Sequence, residues 1–253
     1  MFRKSNNESF KERNESILVL QHIKKSFGGR TVLHDVSFEV RKGEILGIIG
    51  TSGGGKSTLF KIMLGYYLPD SGDVTFKGGN ILQNLKQFKS AVGYTTQDDS
   101  FYKKLTVYEN MEYYAGLYNL GLKGKKRKEH LLSLLEQVQL LQCKDSVVET
   151  LSGGTRRRLN FAISLVHNPE ILVLDEPTTG LDPQLVKQFW EIIERVRKQG
   201  KTVIVTSHIF PELEEHCNGV VMLHKGRIAA VFDLKDLKKT LQQQFEEVLE
   251  KVK

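Results

Sequence analysis

The chain has no apolar run approaching the ~20 residues that a helix needs to span a bilayer, so no membrane crossing of its own is expected. Its opening stretch, MFRKSNNESFKERNES, lacks the continuous apolar segment of a secretory signal. Residues 1–16 read instead as a charged, flexible arm, and a cytoplasmic location is expected. The two cysteines, Cys143 and Cys217, have no metal-ligand spacing and give no disulfide framework. Internal repeats and long low-complexity tracts are absent, so neither a solenoid nor a disordered scaffold is expected. Acidic residues are in the minority. The formal net charge is +7 and the isoelectric point about 9.2. That balance suits an anionic partner: a nucleotide, the anionic cytoplasmic membrane face, or nucleic acid. Charge alone does not choose among them.

What is present is chemically specific. Gly50-Thr51-Ser52-Gly53-Gly54-Gly55-Lys56-Ser57-Thr58 fits G-x-x-x-x-G-K-[ST], the phosphate-binding loop. The apolar run Ile45–Ile49 before it suits a buried strand, and Leu59–Leu64 after it suits a helix. This is the strand–loop–helix context that the motif requires. Glycines let successive backbone N–H groups turn inward around a polyphosphate, and the helix start adds its dipole. Lys56 supplies a point charge for the β- and γ-phosphates. The Ser57 hydroxyl is the expected magnesium ligand. A flexible Gly/Ser turn is the plainer reading, but it leaves Lys56 and Ser57 unexplained.

Along the chain, strand-like stretches fall at 17–20, 36–40, 73–76 and 92–97, with a turn at Phe27-Gly28-Gly29-Arg30. From Thr106 to about 165 the pattern turns helical, opening on a capping box of Thr106 and Glu109. A second helix is expected from about 126 to 138. Its basic flank, 123–128, reads as solvated, with a membrane-surface or partner contact as the sharper alternative. The α/β pattern then returns. Ile171–Leu174 is a buried strand that ends in Asp175-Glu176. A helix over 185–199 closes at Gly200. Thr202–Thr206 is a strand ending at Ser207-His208, and a short acidic helix follows at 211–216. Residues 220–223 and 227–231 pair as a hairpin across Lys225-Gly226. From Leu234 onward a charged amphipathic helix is expected.

Apolar strands alternating with helices predict a parallel sheet with reactive groups at strand C-terminal ends. Asp175 stands at such an end. In phosphate-loop enzymes an acidic residue there helps hold magnesium. Glu176, next to it, can orient a water and accept its proton. An Asp-Glu pair after a strand is otherwise an ordinary loop start. Phe27 can stack on an adenine, although a lone aromatic beside a turn usually only packs.

With these residues in order, the sequence over roughly 17–232 resembles the nucleotide-binding subunit of an ABC transporter. Gln97 stands at the position of the Q-loop glutamine. Leu151-Ser152-Gly153-Gly154 matches the ABC signature, and Asp175-Glu176 the Walker B aspartate and catalytic glutamate. Leu181-Asp182 resembles the D-loop, His208 the switch histidine, and Phe27 the adenine-stacking aromatic. The resemblance implies an α/β fold: a P-loop NTPase core with a parallel sheet, an antiparallel β-subdomain and an ABC helical subdomain. On it the chain divides into the arm 1–16, an ATPase domain 17–233 with a helical subdomain at about 98–168, and a C-terminal helix 234–253. ATP and Mg2+ are the implied cofactors. Phe27, residues 50–58 and Ser152, Gly153 and Gly154 would bind ATP. Ser57, Gln97 and Asp175 would hold the metal. Glu176, His208, Lys56 and Gln97 would serve catalysis.

The resemblance also implies two subunits pairing head to tail around two ATP molecules, the signature of one facing the γ-phosphate held by the other. One phosphate loop and one signature per chain call for a second ATP-binding subunit, expected as a homodimer. A separate transmembrane permease is the other implied partner, at the cytoplasmic face of the membrane. The stretch Leu105–Asn110 with Tyr113–Tyr118 resembles subunits that serve ABC-2-type exporters. A soluble ABC ATPase acting on ribosome or nucleic acid is the alternative, and nucleic acid is the less expected partner. Two positions depart from the family pattern. The signature ends in Thr155 rather than Gln, followed by Arg156-Arg157-Arg158. The adenine aromatic is Phe27 rather than the commoner tyrosine.

Overall fold

The computed structural model describes residues 15–51 and 53–252. The expected arm therefore lies outside the described residues over 1–14, and Ser16 already belongs to the first strand. In chain order the elements are β1 (Ser16–Phe27), β2 (Arg30–Arg41), β3 (Ile45–Gly50), α1 (Lys56–Met63), β4 (Ser71–Phe76), β5 (Gly79–Asn80) and α2 (Leu85–Ser90). There follow β6 (Val92–Thr95), α3 (Val107–Leu117), α4 (Gly124–Gln137), α5 (Gly153–Leu165), β7 (Ile171–Asp175) and α6 (Pro183–Lys198). The last are β8 (Thr202–Thr206), α7 (Phe210–His216), β9 (Gly219–His224), β10 (Arg227–Asp233) and α8 (Leu241–Val252).

The strands form two sheets. One is antiparallel, in the order β2-β1-β4-β5. The other has the order β10-β9-β3-β8-β7-β6. Its β6, β7, β8, β3 and β9 run parallel, and β10 is the antiparallel edge. Side chains alternate across a strand, so a parallel sheet covered on both faces reads as a continuous apolar run. That is what β7 and β8 do. Leu172, Leu174, Val203 and Val205 face one core, shared with Phe161, Phe189 and Trp190 of the helical layer. Ile171, Val173 and Ile204 face the other core, shared with α1 and the antiparallel sheet. The two cores hold β3 so that its C-terminal end opens where the phosphate-loop sequence begins.

Local signals explain the helix starts. Thr106 and Glu109 form the capping box at α3, Thr106 Oγ1 accepting from Glu109 N–H at 3.1 Å. Asp182 caps α6 through Leu185 N–H at 3.0 Å, with Pro183 in the first turn. Two features differ from the sequence expectation. Helix α2 is short and starts from the Asn84 side chain, which accepts from Gln87 N–H; six residues carry too little periodicity to stand out. The last helix begins at Leu241 rather than at 234. Strand β10 runs on to Asp233, whose side chain caps a single 3-10 turn at Leu234–Asp236. No helix among the described residues is long and apolar enough to cross a membrane.

Candidate functional site

The phosphate loop is built by backbone constraint. A Cβ on Gly50 would overlap the Leu223 carbonyl oxygen of β9, so only glycine ends β3 there. Gly53 and Gly55 adopt φ of 71° and 100°, in the left-handed region that glycine tolerates. Gly54 N–H donates to Thr51 O at 3.0 Å and closes the turn. The Lys225-Gly226 turn of the β9–β10 hairpin braces it, Gly226 N–H donating to Gly54 O at 3.1 Å. Gly55 caps α1 with no side-chain hydrogen bond. The first N–H groups of a helix have no intrahelical acceptor, so this start offers donors to an anion. The Lys56 ammonium donates to Gly50 O at 2.7 Å and Thr51 O at 3.2 Å. Burial lowers its pKa, while the charges of Glu176 and Asp175 act to raise it. That mutual influence puts the lysine and both carboxylates in one neighbourhood. Ser57 is exposed in the first turn of α1 and Thr58 half-buried. Ser52 lies outside the described residues.

Asp175 ends β7, opposite Thr206 of β8 in the parallel ladder. The Thr206 hydroxyl donates to Asp175 Oδ1 at 2.7 Å and accepts from Glu176 N–H at 2.9 Å. One buried hydroxyl thus orients both acidic residues. Glu176 has φ 46°, a strained value for a residue with a side chain. Its Oε2 accepts from Thr179 Oγ1 at 3.2 Å, and its Oε1 lies 3.5 Å from Nδ1 of the exposed His208. On the other side of Asp175, the Tyr94 phenol of β6 has its pKa pushed up to about 12, by burial first and then by the charge and hydrogen bond of Asp175.

The remaining candidates make no direct hydrogen bond to this cluster among the described residues. Ser152 caps α5, accepting from Thr155 N–H at 3.3 Å, and its Oγ lies 2.9 Å from Thr155 Oγ1. The threonine that departs from the family pattern therefore meets the capping hydroxyl with both its N–H and its own hydroxyl. Gly153 is exposed with open space where a Cβ would stand, whereas Gly154 packs on Leu185 of α6. Among the described residues, no hydrogen bond joins Ser152, Gly153 or Gly154 to the phosphate loop or to Asp175 and Glu176. Gln97 is exposed, and its carbonyl accepts from Arg157 Nη1 at 2.9 Å. Phe27 is 43% exposed and meets the edge of Tyr67 at 5.4 Å between ring centroids.

Several residues of this neighbourhood were not singled out from sequence: Thr206, Tyr94, Tyr67 and Arg157. Arg157 of α5 joins the Gln97 carbonyl to the Thr179 carbonyl at 3.4 Å, and so links two loops through one helix. Only its place in the Arg156–Arg158 run hinted at it. Thr206 carried no signal beyond ending a buried strand. Farther out, Tyr102, Lys103, Lys104, Leu105 and Tyr113 line a groove of about 390 Å3. The Tyr102 and Tyr113 rings meet edge to face at 4.7 Å.

The oxygen donors of the site suit a hard cation. A hydroxyl at Ser57 and a carboxylate at Asp175 match magnesium, which takes few protein oxygens and completes its shell with phosphate and water. Among the described residues no His/Cys/Asp/Glu cluster of three or more could itself hold a metal.

Comparison with known proteins bears on the same residues. A protein-family profile described as ABC transporter matches residues 33–179. The linearmycin resistance ATP-binding protein of Bacillus subtilis (strain 168) is 35% identical over 221 residues, covering 87% of this chain and 70% of that protein. Nod factor export ATP-binding protein I of Rhizobium sp. (strain N33) is 38% identical over 208 residues, covering 82% of this chain and 68% of that protein. Among solved structures, cbiO1 of Clostridium perfringens, described as part of an ABC transporter complex, superposes with a TM-score of 0.83 at 26% identity. The match covers 94% of this chain and 95% of that one.

Proposed function

The chain belongs to the ABC transporter family as an ATP-binding subunit that hydrolyses ATP and powers a separate permease, and from that premise we propose how its residues do so. The observation that carries the reading is the gathering of Lys56, Asp175, Glu176 and His208 at the C-terminal edge of the parallel sheet, beside the start of α1, which no side chain caps.

ATP lays its phosphates in the loop 50–58. Lys56 leaves the Gly50 and Thr51 carbonyls for the β- and γ-phosphate oxygens, and Phe27 stacks on adenine with Tyr67 at its edge. Magnesium, held by Ser57, Asp175 and Gln97, would neutralise charge on the phosphoryl oxygens. Glu176 accepts a proton from the attacking water. The new bond forms between that water oxygen and the γ-phosphorus, the bond to the β-phosphate oxygen breaks, and ADP and phosphate leave. His208 donates to the γ-phosphate and stabilises its growing charge. Ser152 and Gly153, exposed at a helix start, and the buried Gly154 behind them face the γ-phosphate held by a second subunit. We assign the ATPase domain to 17–233, its helical subdomain to 98–168, and the dimer to two copies of this chain.

The permease docks on the helical subdomain, at the groove of Tyr102, Lys103, Lys104, Leu105 and Tyr113, which offers aromatic faces and two positive charges. The related chain named for Nod factor export supports an exporter, and the likeness of Leu105–Asn110 and Tyr113–Tyr118 to subunits of ABC-2-type exporters supports that type. On this reading the subunit works at the cytoplasmic face of the membrane, bound to it through its permease. Phosphate release and equilibrium ATP binding test the residue roles. Glu176→Gln should bind Mg-ATP and release no phosphate, and Lys56→Ala should lose binding itself. Native phosphate release by Glu176→Gln refutes the assigned general base.

A further inference from the structure

The loop after β7 and the loop after β8 meet twice. At the front, His208 Nδ1 lies 3.5 Å from Glu176 Oε1. Behind them a second junction uses residues with no part in the chemistry above. Thr178, 2% exposed and separated from Glu176 only by Pro177, donates its hydroxyl to Glu212 Oε2 at 2.7 Å. Glu212 sits in the first turn of α7, four residues after His208. The same carboxylate oxygen accepts from Trp190 Nε1 of α6 at 2.9 Å. Trp190 is fully buried, and its indole stacks on His216, the last residue of α7, at 4.4 Å and 16°. Helix α7 is therefore fixed at both ends to α6, and from its first turn one carboxylate reaches the loop that carries Glu176.

We infer that Glu212 is a positioning residue for ATP hydrolysis: its bonds to Thr178 and Trp190 set the separation of the Glu176 carboxylate and the His208 imidazole. The physical reason is leverage. His208 is exposed, and Glu176 has a strained backbone fastened by Thr206 and Thr179, so the gap between the two side chains follows the loops that carry them. A charge-assisted hydrogen bond at the rear of both loops is short and directional. A displacement of about 1 Å at reacting groups is enough to cost on the order of a hundredfold in rate. The phosphate loop lies on β3 and α1, outside this junction, so nucleotide affinity should be spared. The inference rests on the roles proposed for Glu176 and His208. The contrary view is that Glu212 merely satisfies a buried indole and hydroxyl.

Thr178→Val separates the two views, because it removes only the bond between loop and carboxylate and leaves Trp190–Glu212 in place. The expected result is a fall in kcat of about tenfold, the equivalent of one modest transition-state interaction, with KM for ATP within about twofold. Thr178→Ser, which keeps the hydroxyl, should restore kcat. Trp190 is the only tryptophan, so its emission maximum reports the α6–α7 junction directly and should stay unmoved in Thr178→Val. An unchanged kcat overturns the proposal. So does a loss shared between kcat and KM, unrescued by serine and accompanied by a shifted Trp190 emission, which is the mark of a packing role. Phosphate release by the unsubstituted chain, abolished in Glu176→Gln, tests the functional reading independently of the rear junction.

Discussion

Replacing Thr206 by valine removes one hydroxyl and two hydrogen bonds while keeping the branched shape that β8 requires. Thr206 is 3% exposed, and its hydroxyl donates to Asp175 Oδ1 at 2.7 Å while accepting from Glu176 N–H at 2.9 Å. A hydrogen bond to a charged group contributes about 1.5–3 kcal/mol, and a buried N–H left without an acceptor costs about 1–3 kcal/mol. Asp175 and Glu176 are only half-buried, so water replaces part of what is lost. The two terms also share one atom and do not add fully. A net destabilisation of about 2 kcal/mol is the result, or roughly 4–8 °C in melting temperature for a chain of this size. The catalytic cost is separate. A freed Asp175 carboxylate and Glu176 backbone lose the alignment that one hydroxyl imposed, and about 1.4 kcal/mol of lost transition-state stabilisation is a tenfold fall in kcat. Thermal melting and phosphate release on Thr206→Val and Thr206→Ser measure both. Serine should retain most of each property. A valine variant within ~0.3 kcal/mol of the native stability and with native kcat refutes the argument that this hydroxyl orients the acidic pair.

Other outcomes follow from the same geometry. Gly50→Ala should abolish ATP binding and lower stability more than Gly53→Ala, because its Cβ meets the Leu223 carbonyl, whereas Gly53 faces open space and costs only about 1 kcal/mol for its positive φ; binding and melting of the pair check the order. Arg157→Lys cannot bridge the Gln97 and Thr179 carbonyls at once, so kcat should fall severalfold with ATP binding kept. Tyr94 carries a pKa of about 12 in the folded chain against about 10 when unfolded. Between those values the folded form holds a proton that the unfolded form has released, so stability drops as pH rises from about 10 to 12. In Tyr94→Phe that part of the alkaline loss should vanish from chemical-denaturation curves taken across the window.

Much of this was legible because the signals are local. The phosphate loop needs only glycine at strained positions and Lys56 and Ser57 at fixed spacing. The α3 capping box spans four residues, and the strands at 171–175 and 202–206 are built on apolar runs. The family resemblance then ordered the distant motifs. What stayed hidden depends on partners far apart in sequence. Thr206 meets Asp175 across the sheet, Arg157 meets Gln97 between helix and loop, and Glu212 meets Thr178 behind the site. A lone Thr, Arg or Glu carries no pattern that reveals such a bond. The C-terminal helix was placed too early because residues 234–240 share its charged composition, while the continuation of β10 and the Asp233 cap decide the backbone.

The central claim is that this chain carries half of each ATP site and closes on a second copy. Size-exclusion chromatography of Glu176→Gln with and without Mg-ATP tests it most directly. The account predicts a monomer that becomes a dimer only when ATP is present, and a Ser152→Arg companion that binds ATP yet stays monomeric, because a long cation at the start of α5 blocks the γ-phosphate contact across the interface. An elution volume that ATP does not change, with ATP shown to be bound, contradicts it.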